Sequence, residues 1–249
     1  MSQDVRQPVP RRWLALLFIA TAQLMVFLDG AIMNIALPSA QQDLHFTDGG
    51  RQWVITAYGL AFGGLLILGG RLGDLWGRKR VFVIGLVGFA LASGIGGAAR
   101  NLPTLLTARA LQGVFGALLA PAALALISLA FTDARERAKA FGIYGAIATA
   151  GGALGLLLGG IFTEYTEWRW GLYINLPIEV IGIFGVLTVV RDPGTPAGRA
   201  RLDVPGALLA SGGAVCVRLR QGGERRLGCC RDRQHVRSVR SPAGGLRPV

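Results

Sequence analysis

The sequence predicts an all-α membrane protein, and three observations predict it. Only 16% of the 249 residues are charged, against about a quarter in soluble domains, and the mean hydropathy is +0.48. Apolar runs of the length needed to cross a bilayer, about 20 residues, recur six times. Glycine is abundant, at 37, which suits helices packed closely within lipid. No period-two alternation of the kind that marks strands competes with these runs.

The six spans are expected at 13–38, 53–70, 81–99, 102–131, 138–162 and 170–190, and a seventh starts near 204 and stops by 217. Span one follows Arg11 and Arg12, as a signal peptide would. It is longer than a signal core and five spans follow it, so it reads as a retained helix ending at Pro38. Spans two and three flank "GRLGDLWGRKR" at 70–80. Gly70, Gly73 and Gly77 are expected to bend the backbone there. Arg78, Lys79 and Arg80 would anchor span three against anionic lipid head groups. Asp74 runs against that basic pattern, so it should have a specific partner, either a helix N-terminus or a nearby Arg. Span four starts beside Pro103. Span five, "GIYGAIATAGGALGLLLGG", carries Gly142, Gly151, Gly155, Gly159 and Gly160. Three of these at i, i+4 and i+8 form a smooth face on which another helix can pack. Span six starts at Trp170.

The domain organisation follows: a cytoplasmic N-terminus at 1–12, a six-helix transmembrane domain at 13–190, a cytoplasmic linker at 191–203, the start of a seventh helix at 204–217, and a basic, disordered tail at 218–249. Lys and Arg set the orientation. Alternate loops hold thirteen of them against three (Arg51, Arg100 and Arg169), which places the N-terminus in the cytoplasm. The net charge of +12 therefore reflects loop anchors and the tail, not a nucleic-acid surface. Cys216, Cys229 and Cys230 lack metal-ligand spacing, and His45 and His235 read as solvated loop residues. No phosphate-binding glycine loop and no nucleophile–base pair is found. The chain is expected to be no enzyme and to need no cofactor or metal.

Ionisable side chains inside spans are expensive and mark function by default. Asp29 lies in span one, Arg109 in span four and Glu179 in span six. Counted from the ends of the spans, all three fall at a similar depth, roughly 9–14 Å in at 1.5 Å per residue. Snorkelling to the surface is the rival reading, fairest for Arg109. Apolar surroundings favour a protonated carboxyl, whereas a nearby guanidinium favours the charged one. A pair that makes and breaks could thus act as a proton switch.

Five motifs carry a resemblance. "GRLGDLWGRKR" resembles the loop signature of the major facilitator superfamily, with Leu75 where an Arg is usual. "LDGAIMNIALP" (28–38) and "RALQG" (109–113) resemble the first- and fourth-helix signatures of its fourteen-helix drug:proton antiporter branch. The glycines of span five match the fifth-helix signature, with Leu156 in place of its Pro. "WRWGLYINLP" (168–177) is a further match, followed by Glu179 where that branch usually has Gly. The resemblance implies proton-driven export of lipophilic drugs by two six-helix halves, of which this chain supplies one. It implies a cytoplasmic latch of Gly70, Asp74, Gly77, Arg78 and Lys79, proton coupling through Asp29 and Arg109, and packing and gating by the span-five glycines; Glu179 joins the proton-coupling candidates only as an ionisable residue within a span. A cavity between spans one, two, four and five would include Asn34 and Gln112. The implied partners are the plasma-membrane (inner-membrane) lipid bilayer, a small hydrophobic substrate, protons and a second six-helix half. Metabolite or sugar uptake, or a non-transporting truncated protein, are the alternatives. From Val217 the sequence turns Arg-rich and loses its apolar runs, so a shifted reading frame or a truncation is expected there.

Overall fold

Each apolar run becomes helical, and the first, second and fifth helices outrun their runs at both ends. The computed structural model describes residues 9–190. The expected linker at 191–203, the seventh helix at 204–217, the tail at 218–249, the three cysteines and His235 lie outside the described residues, as do residues 1–8. Among the described residues, six segments are long and apolar enough to cross a membrane.

Helix α1 (Val9–Leu44) continues through Pro38 rather than ending there. It stops where His45 takes a left-handed backbone, φ 51°. Helix α2 (Asp48–Trp76) starts on Thr47, whose hydroxyl accepts the Gly50 N–H at 3.4 Å. It then runs straight through Gly70 and Gly73. The turn expected across 70–80 is thus one residue long. Gly77, at φ 96° and ψ 129°, makes it alone, in a region that side chains avoid. Helix α3 (Arg78–Gly97) begins at the next residue. Helix α4 (Leu102–Ala130) is capped by Asn101, whose side-chain oxygen accepts the Thr104 N–H at 2.9 Å. Asp133 caps α5 (Ala134–Tyr165) by accepting from Arg135 and Glu136. Polar caps of this kind extend helices beyond the apolar residues that reveal them.

Span six is broken. A short α6 (Trp170–Tyr173) is parted from α7 (Asn175–Val189) at Ile174. Pro177 accounts for the interruption. It has no N–H to offer the Tyr173 carbonyl four residues earlier, and its ring crowds that turn.

Helix α1 packs on α5 and α7, α4 packs on α2 and α3, and α3 meets α7. Exchanging spans one to three with spans four to six maps this pattern onto itself, as in membrane folds built from internal repeats. The α1–α5 contact is made backbone to backbone. A Cβ on Gly151, Gly155 or Gly159 would meet Leu24 O at 2.7 Å, Leu28 O at 2.7 Å and Ile32 Cα at 3.2 Å respectively. Three turns of α5 thus sit on three turns of α1. Gly142 and Gly160 take no part, because nothing lies within 4 Å of a Cβ built on either.

The buried apolar side chains form two clusters. One gathers Ile19, Met25, Phe82, Phe89, Leu119 and Ile127, and the other Ile32, Leu37, Leu105 and Leu172. On α1 the first ends at Val26 and the second begins at Leu28. On α4 the gap falls between Leu105 and Leu119. A polar layer fills it.

Candidate functional site

Four of the six spans supply that layer. Asp29 from α1, Ser93 from α3, Arg109 and Gln112 from α4, and Asn175 from α7 are each at most 3% exposed. Arg109 Nη1 donates to Asp29 Oδ2 at 2.6 Å and to Gln112 Oε1 at 2.7 Å. Gln112 Nε2 donates to Asp29 Oδ1 at 3.1 Å and to Ser93 Oγ at 2.9 Å. Asn175 Nδ2 donates to Asp29 Oδ1 at 2.7 Å. The carboxylate therefore accepts three hydrogen bonds, one from its counter-ion, in a site shielded from water. Bonds of this charge-assisted kind are roughly twice as strong as neutral ones. They are also what makes a buried ion tolerable, since an unpaired one costs several kcal/mol.

Tyr58 of α2 closes the layer on one side. The Arg109 guanidinium lies 4.5 Å from the centre of its ring, a cation–π contact. Tyr58 in turn stacks on Phe62, with ring centres 6.0 Å apart and planes 15° from parallel. The helix carrying Tyr58 comes close because Gly113 offers no side chain. A Cβ there would fall 2.5 Å from the Tyr58 carbonyl.

Arg109 does not snorkel, being 3% exposed. Asp29 sits farther from its helix end than span lengths implied. Fifteen residues separate it from Leu44, a rise of roughly 22 Å. Depth along each helix was the wrong measure, yet the pairing of Asp29 with Arg109 holds. Glu179 is 0% exposed, and neither of its oxygens has a hydrogen-bond partner. Of the two expected cavity residues, Asn34 is exposed and donates to Gly30 O at 2.7 Å. Gln112 is fully buried and commits its amide to the network, so it offers no open cavity wall.

At the Asp74 end, Asp74 finds its partner in Arg78, one turn on, at 3.1 Å. Lys79, expected at the lipid head groups, instead donates to Leu187 O at 3.2 Å and to Val190 O. Arg11 reaches Thr188 O at 3.2 Å. Both cations thus satisfy carbonyls at the C-terminus of α7, where positive charge is favoured. At the opposite end, Arg169 bonds Asp43 at 2.7 Å and the Ala99 carbonyl at 2.7 Å. Among the described residues no group of three His, Cys, Asp or Glu is placed to hold a metal ion.

Ser93, Asn175 and Tyr58 were not singled out from the sequence. Neutral polar residues cost far less to bury in a span than charged ones, so nothing flagged Ser93 or Tyr58. Asn175 stood in the quoted "YINLP" stretch, and its position two residues before a helix-breaking Pro was the available signal.

The family model of the Major Facilitator Superfamily matches residues 19–227. The puromycin resistance protein of Streptomyces alboniger is 58% identical over 211 residues, covering 84% of this chain and 42% of that protein. The cephamycin export protein of Amycolatopsis lactamdurans is 44% identical over 206 residues, covering 82% and 42%. The chain thus spans about two fifths of the length of these relatives. Among solved structures, a bacterial homologue of the human lysosomal transporter Spinster, inward-facing and unoccupied, superimposes with a TM-score of 0.60 at 20% identity. It is matched over 79% of this chain and 47% of its own. A proton:xylose symporter gives 0.62 at 17% identity, over 74% and 46%. At such identities these structures speak for the fold alone.

Proposed function

Because this chain belongs to the Major Facilitator Superfamily and is an integral membrane protein, we propose that it forms the N-terminal half of a proton-coupled exporter of hydrophobic drugs. The observation that carries this reading is the buried Asp29–Arg109 pair. Asp29 is the proton-loading carboxylate. Arg109 is its modulator, holding it charged while the pair is closed and letting it take a proton when the pair opens. Gln112, Ser93 and Asn175 keep the carboxylate oriented. Drug specificity is supported by the names of the two relatives, one a puromycin resistance protein and the other a cephamycin export protein.

The Lys and Arg asymmetry of the loops supports a plasma-membrane (inner-membrane) location with the N-terminus in the cytoplasm. In that orientation Gly70, Asp74, Gly77, Arg78 and Lys79 face the cytoplasm as a latch. Gly151, Gly155 and Gly159 set how α5 rides on α1 during gating. Two halves rocking around a midplane site move the substrate, so transport requires a second six-helix half and the chain alone moves nothing.

The test uses cells expressing the full chain with, as second half, the part of the Streptomyces alboniger relative beyond its matched segment. Puromycin tolerance is expected to rise severalfold over cells holding either piece alone. It should vanish with Asp29→Asn or with a proton uncoupler. Tolerance that survives Asp29→Asn, or puromycin accumulating inside the cells, would overturn the proposal.

A further inference from the structure

Among the described residues, three acidic or basic side chains are more than nine-tenths buried: Asp29 at 1% exposed, Arg109 at 3% and Glu179 at 0%. Two are acids and one is a base. With all three ionised, the layer would hold an uncompensated negative charge away from water. One proton on one acid makes it neutral.

The hydrogen bonds say which acid holds that proton. Asp29 accepts from Arg109, Gln112 and Asn175, the environment of an ionised carboxylate. Both Glu179 oxygens are unpartnered, which a buried carboxylate does not tolerate. The neutral acid brings one O–H donor. A matching acceptor is close by. Asn175 Oδ1 is also unpartnered, and Asn175 stands one helical turn before Glu179 on α7, where i and i+4 side chains are neighbours. The amide nitrogen of Asn175 already donates to Asp29 at 2.7 Å. Asn175 thus bonds Asp29 and is the i, i+4 neighbour of Glu179 on the same helix. The remaining titratable groups at the layer are Arg109 from α4 and Tyr58 from α2. From α3 the facing group is the neutral Ser93.

We propose that Glu179 is a second protonation site of the layer, holding one proton while Asp29 is ionised and paired with Arg109, and giving it up when Asp29 is neutral. A proton arriving on Asp29 leaves the guanidinium without a counter-ion. Loss of the Glu179 proton restores neutrality, so the layer keeps one proton throughout. The place of this exchange in transport rests on the proton-coupled reading above, whereas the protonation itself does not.

Infrared spectroscopy of the full 249-residue chain in detergent, at neutral pH, tests it through the carbonyl band of protonated carboxylic acids. Glu179→Gln is expected to remove about one buried acid per chain from that band, since only the neutral acid contributes. Asp29→Asn should remove it as well, because Arg109 is then balanced by an ionised Glu179. Arg109→Gln should move it the other way, to about two acids. Circular dichroism confirms folding, and since Asp29→Asn and Arg109→Gln shift the band in opposite directions, either alone decides. The proposal fails if wild type lacks the buried-acid band or if Glu179→Gln retains it. It also fails if a folded Asp29→Asn or Arg109→Gln leaves the band unchanged, since Glu179 would then be a neutral residue indifferent to its neighbours. Bands that respond as expected, with puromycin tolerance independent of the proton gradient, would remove the export reading and leave this one standing.

Discussion

Asp29 and Arg109 face each other across 80 residues of sequence, and each makes the other's burial tolerable. Removing one partner takes away the other's counter-ion. Arg109→Ala is expected to lower stability by roughly 3–5 kcal/mol, and Asp29→Ala by less, because an ionised Glu179 then balances Arg109. The double variant should lose clearly less than the two together, because no charge is then left unpaired. Thermal unfolding of the four proteins in detergent gives the cycle; strict additivity would mean that the pair is not coupled. Both residues were legible in the sequence because a charge inside an apolar run stands out. The residues that complete the site were not. Ser93 and Asn175 are small and neutral, and Tyr58 reads as one more aromatic near a membrane surface. Their importance comes from what they touch, which no single span can show.

At the scale of the element, the α1–α5 contact was legible as a spacing but not as an assignment. The i, i+4, i+8 spacing singles out Gly151, Gly155 and Gly159 among the five glycines, but it does not say which helix they meet. Gly151, Gly155 and Gly159 meet α1, whereas Gly142 and Gly160 look away from it. Gly155→Leu must force the helices apart, because its Cβ alone would press within 2.7 Å of both the Leu28 carbonyl and the Ala31 Cβ. Overpacking of this kind costs about 1–3 kcal/mol. Gly160→Ala should be neutral or stabilising, by up to about 1 kcal/mol, since alanine is the better helix former. The contrast between the two melting temperatures is the measurement, and equal losses would refute the facing. Helix ends were the other blind spot. Apolar runs reveal the part of a helix that lies in lipid. Thr47 and Asp133 extend α2 and α5 beyond it by supplying acceptors for otherwise unbonded N–H groups.

At the scale of the whole molecule, the number of spans was legible and their arrangement was not, because pairing depends on faces that hydropathy alone does not distinguish. The end of the bundle opposite Gly77 shows how the halves of the repeat are tied. Arg169 joins the end of α1 through Asp43 to the end of α3 through the Gly97 and Ala99 carbonyls. Its guanidinium also covers Trp168 at 4.7 Å, and Trp168 donates to the same Asp43 carboxylate at 3.1 Å. Arg169→Ala should therefore loosen three elements at once and expose Trp168. Faster hydrogen exchange at the ends of both α1 and α3 would show it, and a change confined to residues near 169 would not fit.

The buried layer also has a history within each molecule. The ribosome delivers Asp29 long before the groups that satisfy it: Arg109 comes 80 residues later and Asn175 comes 146 later. At about 5–20 residues per second, the first helix waits some 4–16 s for its counter-ion. During that interval span one must enter lipid with a neutral Asp29 or linger beside the insertion machinery. Nascent chains arrested before Arg109 emerges should accordingly be extracted from membranes more easily than the same chains carrying Asp29→Asn, and the difference should disappear once span four has been made. A contact that reads as stability in the finished protein is, during synthesis, a debt of timing carried by its first helix.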